Sequence, residues 1–502
     1  MNAVSGKVIL RFDAGPVLGG GHAIRCLGLA EALTQEGIQC VLAVTQATLD
    51  TVPVLARKGL EIVRIGPDGS LPAPDSGLAD WLIMDHPDWG RATNNDGRAA
   101  ARKIAVISDA PGETLDCDVL IDSAPNLSPS SYADKVPETC RMLTGPKYAL
   151  LRASFATLRR QAIARRRART SAARVFVGFG ATDPHNATAM AIAALDRGAS
   201  GLTADIVIGS AAPGRKDVQA QAAASKKRVQ VHTDSDRVAE LMAAADVAIG
   251  AAGITSWERC CLGLPTIVVG QADNQKPNCE ALQAADAAVV LGDNRETSVE
   301  QVAEALSVLV SDKGKRDRLS NNAATMCDGL GARRIAQTLF PETARDDAEI
   351  TMRPVTAADS ELLFEWQTHP DTRRYFRNPA PPTRCEHEAW IGARLFDANC
   401  LLNIVEYGDE PAGMLRLDVL DGQDDGTDEA YEVSILVAPD RTRLGIGNAA
   451  LRLGRRLAPD SNLYASVHPD NSASRHLFAG AGYIPSGDGY LQTPALPEAA
   501  QA

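Results

Sequence analysis

His22 follows three glycines, Gly19, Gly20 and Gly21, in the segment GPVLGGGHAIRCLGL (15–29), directly after the apolar run KVILRFDA, whose aspartate is Asp13. A strand closing on a carboxylate, a glycine loop and a helix opening at a histidine bring an acid and a base to the carboxyl end of the strand. Open α/β sheets bind their ligands there. The glycines let backbone approach a ligand and leave N–H groups pointing at it. At a helix N-terminus the macrodipole disfavours imidazolium, so His22 is expected to be neutral and able to accept a proton. A histidine that only caps the helix is the alternative, and Arg25 and Cys26 read as packing and ion-pair residues. The dinucleotide fingerprint G-x-G-x-x-G is not met, because the sixth position counted from Gly19 and Gly21 is Ile24. The run CVLAV also lacks the acidic residue that would hold a ribose, so no nicotinamide or flavin cofactor is expected.

A second constellation is GAAGITSWE (250–258). Backbone around Gly253 and Ile254, with the hydroxyls of Thr255 and Ser256, would cradle a diphosphate at a helix start. Glu258, one turn inside, would hold ribose hydroxyls. Thr255 or Ser256 serving as a plain helix cap is the competing reading. GATD (180–183), with Gly180 and Asp183, is the matching turn expected to close over the diphosphate. Asn274 and Gln275 in ADNQ offer amides, each both donor and acceptor, suited to a sugar hydroxyl, an acetamide or an attacking water. No cluster with metal-ligand spacing accompanies these blocks, and no metal is expected.

The third is VSILVAPDRTRLGIGNAALRLGRRLAP (433–459), a strand, a glycine turn and a helix. Amides from Leu444 through Gly445 and Ile446 to Gly447 would take a pyrophosphate. LYASVHPDNSASRHLFAGAGY (463–483) follows it. Glu432 and His468 are candidate proton acceptors, with polar surface residues as the alternative.

RFDAGPVLGGGHAIRCLGLAEAL closely resembles the opening of the UDP-2,4-diacetamido-2,4,6-trideoxy-β-L-altropyranose hydrolases of pseudaminic acid biosynthesis, which have a GT-B fold. The resemblance continues in GPKYALLRASF (145–155), FVGFGATDPHNAT (176–188), GAAGITSWERCCLGLPTIVVG (250–270) and ADNQ (272–275). It implies that His22 activates water, with Asp13 and Asn274 also catalytic, and that Asn274 and Gln275 face the sugar. One departure is Pro87, flanked by His86 and Asp88, where the family usually has a tyrosine near the sugar. The third constellation resembles GNAT-type N-acetyltransferases over 350–490. That implies acetyl-CoA as cosubstrate, with the strand at Ser434–Val437 (Leu436 and Val437 included) along the pantetheine and Arg443 and Asn471 at the cofactor. Here the departures are Thr442 in the first position of the glycine motif and Phe478 where a tyrosine commonly acts as acid, with Tyr490 or water as the substitute. Together the resemblances imply a bifunctional enzyme: N-acetylation of a 4-amino UDP-sugar, then hydrolysis that releases UDP, a route leading to flagellin glycosylation. A UDP-sugar glycosyltransferase with an accessory GNAT domain keeps the same fold and is the alternative.

These residues must be held by alternating strands and helices. The runs KVILRFDA, CVLAV, LEIVRI, WLIMD, KIAVIS and CDVLID form one series, and ARVFVGFG, ADIVIG, RVQVH, DVAIGAAG, PTIVVG and AAVVLG a second. Continuous apolar runs suit parallel strands buried on both faces. The expected class is α/β: a GT-B-like pair of Rossmann-like domains (1–155 and 156–340), a polar linker (341–350) and an α+β domain (351–495). The arginine-rich stretch 159–170 reads as a solvated helix end or linker.

The 502-residue length and 45% hydrophobic content support several buried cores. The net charge of −12 argues against a general nucleic-acid binder. Ten cysteines without a C-x-x-C pair, no signal-peptide core and no run of about 18 apolar residues lead to the expectation of a soluble cytoplasmic protein with no membrane partner.

Overall fold

Each apolar run named above becomes a strand in the computed structural model, which describes residues 6–15, 18–66, 71, 77–86, 97–112, 114–125, 127, 129–420 and 430–494. The first series gives β1 (Lys7–Phe12), β2 (Gln39–Val44), β3 (Glu61–Arg64), β4 (Ala79–Asp85), β5 (Ala101–Ile107) and β6 (Val119–Asp122). A seventh strand, β7 (Arg141–Thr144), was not expected: RMLT is short and only partly buried, so no apolar run marks it. The order is β3-β2-β1-β4-β5-β6-β7, parallel throughout.

The second series forms β8 (Arg174–Gly178), β9 (Thr203–Ile208), β10 (Arg228–Thr233), β11 (Val247–Gly250), β12 (Thr266–Gly270) and β13 (Val289–Asp293). Its order is β10-β9-β8-β11-β12-β13, again parallel. In both sheets the order reverses beside the first strand. Ligands of doubly wound sheets bind outside the carboxyl ends of the strands at such a point. The expected crevices are therefore β1/β4 and β8/β11.

The chain divides into two compact units, Met1–Ile335 and Ala336–Ala502. The boundary expected at 155/156 falls inside the helix Ala153–Ala168, whose Phe155 and Ala162 pack in the core of the second sheet. Two arginines of that helix, Arg159 and Arg166, are buried rather than solvated, while Arg167 remains exposed. Arg159 donates to the carbonyls of Cys327 (3.0 Å) and Ala324 (2.6 Å) and to that of Cys261, and Arg166 donates to those of Ala245 (2.9 Å) and Met242 (2.6 Å). Carbonyls at helix ends lack intrahelical donors, and buried guanidinium groups supply them here.

The second unit is an eight-stranded sheet: β14 (Glu342–Thr343), β15 (Glu349–Pro354), β16 (Cys400–Tyr407), β17 (Glu410–Val419), β18 (Ala430–Val437), β19 (Asn462–Ser466), β20 (Ile484–Ser486) and β21 (Gly489–Gln492). The order is β14-β15-β16-β17-β18-β19-β21-β20, with β18/β19 the parallel pair in an otherwise antiparallel sheet. Of the helices of this α+β unit, Ile446–Leu457 and Ser472–Gly480 bear on the site. The linker expected at 341–350 is part of this sheet, since it supplies β14 and the start of β15. Among the described residues, no helix is long and apolar enough to cross a membrane.

Candidate functional site

The β1/β4 crevice holds a histidine–carboxylate pair. After β1 the chain folds tightly, with Gly15 and Gly19 exchanging backbone hydrogen bonds and Gly19 at φ +74°, and the helix Gly21–Gln35 begins one residue before His22. His22 Nδ1 lies 2.7 Å from Asp85 Oδ1, at the carboxyl end of β4. The same Nδ1 lies 3.0 Å from Arg25 Nη2, which can only donate, whereas the carboxylate can only accept. In the tautomer that satisfies the shorter contact to Asp85, Nδ1 carries the proton and Nε2 the lone pair. One turn on, Arg25 Nε donates to Asp85 Oδ2 at 2.6 Å and Arg25 also binds Asp109, after β5. Burial alone would raise the Asp85 carboxyl, but Arg25 and His22 hold it well below the usual carboxylate range. Cys26 Sγ, at 3.4 Å, completes the cluster as a packed thiol pushed far up by burial.

Asp13 is placed differently. Arg11 (2.7 Å), Thr45 (3.2 Å) and Thr48 (3.3 Å) bind its carboxylate, and His86 Nε2 stands 3.5 Å away. Asp13 thus shapes the turn, and the carboxylate that serves His22 is Asp85. Sequence reading missed Asp85, although its place at the end of WLIMD marks it as a strand-terminal acid. Pro87 and Asp88 lie outside the described residues.

Across the cleft, the β8/β11 crevice opens on a cavity of about 930 Å³ including its open mouth, lined by Gly20, Gly21, Gly180, Ile254, Thr255 and Glu258 among others. A Cβ on Gly20 would stand 3.1 Å from the Ala181 side chain, so glycine permits this close approach of the two halves. Gly180, at φ +90°, turns the opposing loop. Glu258 is 3% exposed and, among the described residues, its side chain makes no hydrogen bond. Burial raises its carboxyl, with Arg152 and Arg259 opposing. Arg152 lines the same cavity, and its Nε is buried without a hydrogen-bond partner. It went unassigned in GPKYALLRASF. Two buried groups with bonding capacity to spare thus face one cavity.

Other residues of these motifs have structural tasks. Asp183 is buried, and its two oxygens accept from Ala187 N (2.9 Å) and Thr188 N (3.0 Å), fixing the start of the helix Ala187–Arg197. Ser256 is buried and bonded to the Ala251 carbonyl (3.3 Å) and Arg259 (3.1 Å), so it is turned from the cavity. Neither it nor Thr255 caps the helix Thr255–Cys261, whose cap position is Ile254. Gln275 Oε1 accepts from Ala252 N and Gln271 N, both at 3.1 Å, which pins the loop carrying Gly253. Asn274 is exposed and is not among the cavity-lining residues.

In the second unit, β18 pairs with β19 only from Ala430 to Glu432, whereas its pairing with β17 continues to Val437. Beyond Glu432 the two parallel strands part, leaving one backbone edge of Ser434–Val437 open beside the turn Leu444–Gly447. Gly445, at φ +88°, precedes the helix Ile446–Leu457, and Arg443 is also left-handed at φ +69°. Leu436 is a core side chain, so only its backbone faces the gap. Thr442 is exposed. Asn471 caps the helix Ser472–Gly480 by accepting from Ser474 N at 3.0 Å. Phe478 is buried between Tyr483 and Tyr490, stacking on Tyr490 with centroids 6.0 Å apart. Glu432 is paired with Arg377, and His468 lies against the Tyr375 ring. Among the described residues, no group of three His, Cys, Asp or Glu is arranged to hold a metal.

Residues 199–339 match the glycosyltransferase family 28 C-terminal domain, and residues 349–484 match the acetyltransferase (GNAT) domain. The chain is 21% identical over 396 residues to the uncharacterized protein MJ1062 of Methanocaldococcus jannaschii, covering 77% of this chain and 78% of that one. It is 27% identical over 206 residues to the spore coat polysaccharide biosynthesis protein SpsG of Bacillus subtilis, covering 40% of this chain and 58% of that protein. Among solved structures, MurG of Acinetobacter baumannii is 17% identical, with a TM-score of 0.45 over 66% of this chain and 99% of its own. AAC(6')-Ib in complex with ribostamycin and coenzyme A is 23% identical, with a TM-score of 0.26 over 29% of this chain and 93% of its own. This chain therefore carries a GT-B-like pair of α/β domains, whose second half is of the glycosyltransferase family 28 type, followed by a GNAT acetyltransferase domain.

Proposed function

We propose that the first unit hydrolyses a UDP-sugar, UDP-2,4-diacetamido-2,4,6-trideoxy-β-L-altropyranose, to free sugar and UDP. The second unit acetylates the 4-amino precursor with acetyl-CoA. The observation that supports the hydrolytic reading is the His22–Asp85 pair at the β1/β4 switch point. It leaves Nε2 available as a base next to Gly20 and Gly21, residues that line the cavity, although His22 itself is not one of its lining residues. Glu258 and Arg152 make that cavity suitable for a nucleotide, the carboxylate accepting hydrogen bonds from ribose hydroxyls and the guanidinium donating to a phosphate. In the reaction, His22 Nε2 takes a proton from water as the water oxygen bonds to the anomeric carbon. The bond from that carbon to the UDP oxygen breaks with inversion, and UDP keeps the electron pair. Asp85 stabilises the imidazolium that forms. A diphosphate is already a good leaving group, so no carboxylic acid is required to protonate it, unlike in glycosidases. The amine of the second substrate would attack the acetyl carbonyl at the opening between β18 and β19 and lose a proton to water as the C–S bond breaks, and the departing CoA thiolate would take a proton from Tyr490 or water.

The family 28 match favours one rival, a glycosyltransferase in which an acceptor hydroxyl replaces water. Incubation with the UDP-sugar alone separates the two. Stoichiometric UDP and free sugar support hydrolysis, whereas turnover only after addition of a sugar or lipid acceptor overturns it. Mass spectrometry of products from the 4-amino UDP-sugar with acetyl-CoA tests both steps together.

A further inference from the structure

The acetyltransferase match begins at residue 349, yet the residues just before it are built into the wall of the glycine turn. Glu342 Oε2 accepts from Arg452 Nε of the following helix at 2.6 Å. Ala344 is buried in the core of this unit, and Asp346 is bonded to the Tyr407 hydroxyl. Arg345 lies against the turn itself. Its backbone N–H donates to the Leu444 carbonyl at 2.9 Å, and its guanidinium Nη1 donates to the Arg443 carbonyl at 3.2 Å. A Cβ on Gly445 would meet Arg345 Cγ at 3.2 Å. Arg443 and Gly445 both adopt left-handed φ values, +69° and +88°. Such alternation turns neighbouring N–H groups to one side and makes an anion-binding concavity.

Charge points the same way. Arg441 has a carboxylate, Asp440, at 3.6 Å, but among the described residues neither Arg345 nor Arg443 has one. Two uncompensated guanidiniums therefore flank the start of a twelve-residue helix, in a chain whose formal net charge is −12. An arginine beside backbone N–H groups suits a phosphate, which its fork can bind with two parallel hydrogen bonds.

We propose that Arg345 is a phosphate ligand of bound acetyl-CoA, contributed by the segment that precedes the matched domain, and that the backbone of this segment holds the glycine turn in shape. The proposal rests on the acetyl-CoA reading given above. CoA carries a pyrophosphate and a 3′-phosphate, and both present the chemistry required.

The test is calorimetric titration of the full chain with acetyl-CoA and with 3′-dephospho-acetyl-CoA, for wild type, Arg345→Ala and Arg345→Lys. The bond to Leu444 uses the main chain of Arg345, so truncating the side chain leaves it in place. The expected result is about tenfold weaker acetyl-CoA binding by Arg345→Ala, partial recovery in Arg345→Lys and unchanged melting temperatures. If the dephospho form binds wild type and Arg345→Ala equally, the 3′-phosphate is the partner. If the tenfold loss persists with it, the pyrophosphate is. Equal acetyl-CoA affinity of wild type and Arg345→Ala overturns the proposal and leaves the acetyl-CoA reading standing. So does a loss that follows a fall in melting temperature and is not recovered by lysine. Absence of acetyl-CoA binding by wild type overturns the acetyl-CoA reading, and the proposal with it.

Discussion

His22 Nδ1 lies 2.7 Å from Asp85 Oδ1, and Arg25 Nε holds the other oxygen of that carboxylate at 2.6 Å. The carboxylate thus sets the imidazole tautomer while its own charge is compensated from the next helical turn. His22→Gln should lower UDP-sugar turnover by roughly 10²–10⁴-fold, the usual contribution of a positioned base. UDP binding should persist, because the groups proposed for the nucleotide belong to the other half. Steady-state rates beside UDP titration check this, and unchanged turnover removes His22 from the mechanism.

Asp85→Asn has a second consequence. It leaves a buried Arg25 without its main counter-charge, which typically costs about 3–5 kcal/mol. The melting temperature should fall as well as the rate. A variant with lost activity and full stability would contradict the buried pairing.

Two aspartates shape the acid limb of stability in opposite directions. Asp85 has a depressed carboxyl, so its contribution is fully present above the unfolded value of about 4 and is lost as pH falls below that. Asp122 is pushed up to about 6 by burial, against hydrogen bonds from Tyr132 and Ala124. The folded state therefore binds its proton more tightly than the unfolded chain, and stability declines by up to about 3 kcal/mol as pH rises from about 4 to 6. Denaturant titrations across pH 3–7 should show that decline, and Asp122→Asn should flatten it. An unaltered slope in the variant would assign the decline elsewhere.

Arg159 bonds three carbonyls at helix ends in the second half. Arg159→Ala would leave these buried acceptors without donors, and a loss of about 2–5 kcal/mol is expected in the unfolding midpoint. A loss under 1 kcal/mol would restore the reading of a solvated charge run.

Gly209 lines the cavity proposed for the nucleotide, and a Cβ there would stand 2.2 Å from the Ala181 carbonyl. Gly209→Ala must displace the Gly180–Ala181 turn. UDP affinity should fall at least tenfold in calorimetry, while acetyl-CoA binding by the second unit is retained. Loss of both would mark a general folding defect.

The sequence by itself determined the layered plan. Strands buried on both faces must be apolar from end to end, so twelve runs announced twelve of the thirteen parallel strands. RMLT did not, being short and half-covered. Glycine motifs likewise marked the turns, because backbone at positive φ, as at Gly19, Gly180 and Gly445, is costly for other residues.

Only the tertiary structure decided which side chains the turns present. Asp183, Ser256 and Gln275 sit in the expected motifs, yet both Asp183 oxygens and Gln275 Oε1 accept from backbone N–H groups, and the Ser256 hydroxyl is held by the Ala251 carbonyl and Arg259. Asp85 and Arg152 are distant in sequence from His22 and Glu258, and each reaches its site from a different element of the fold. Neither local propensity nor spacing encodes such meetings, since burial and hydrogen-bond partners exist only once strand order has brought remote segments together. The glycine loop before His22 shows both sides of this. Its composition marked a turn at the carboxyl end of a strand, and the fold supplied the carboxylate, Asp85, that pairs with its histidine.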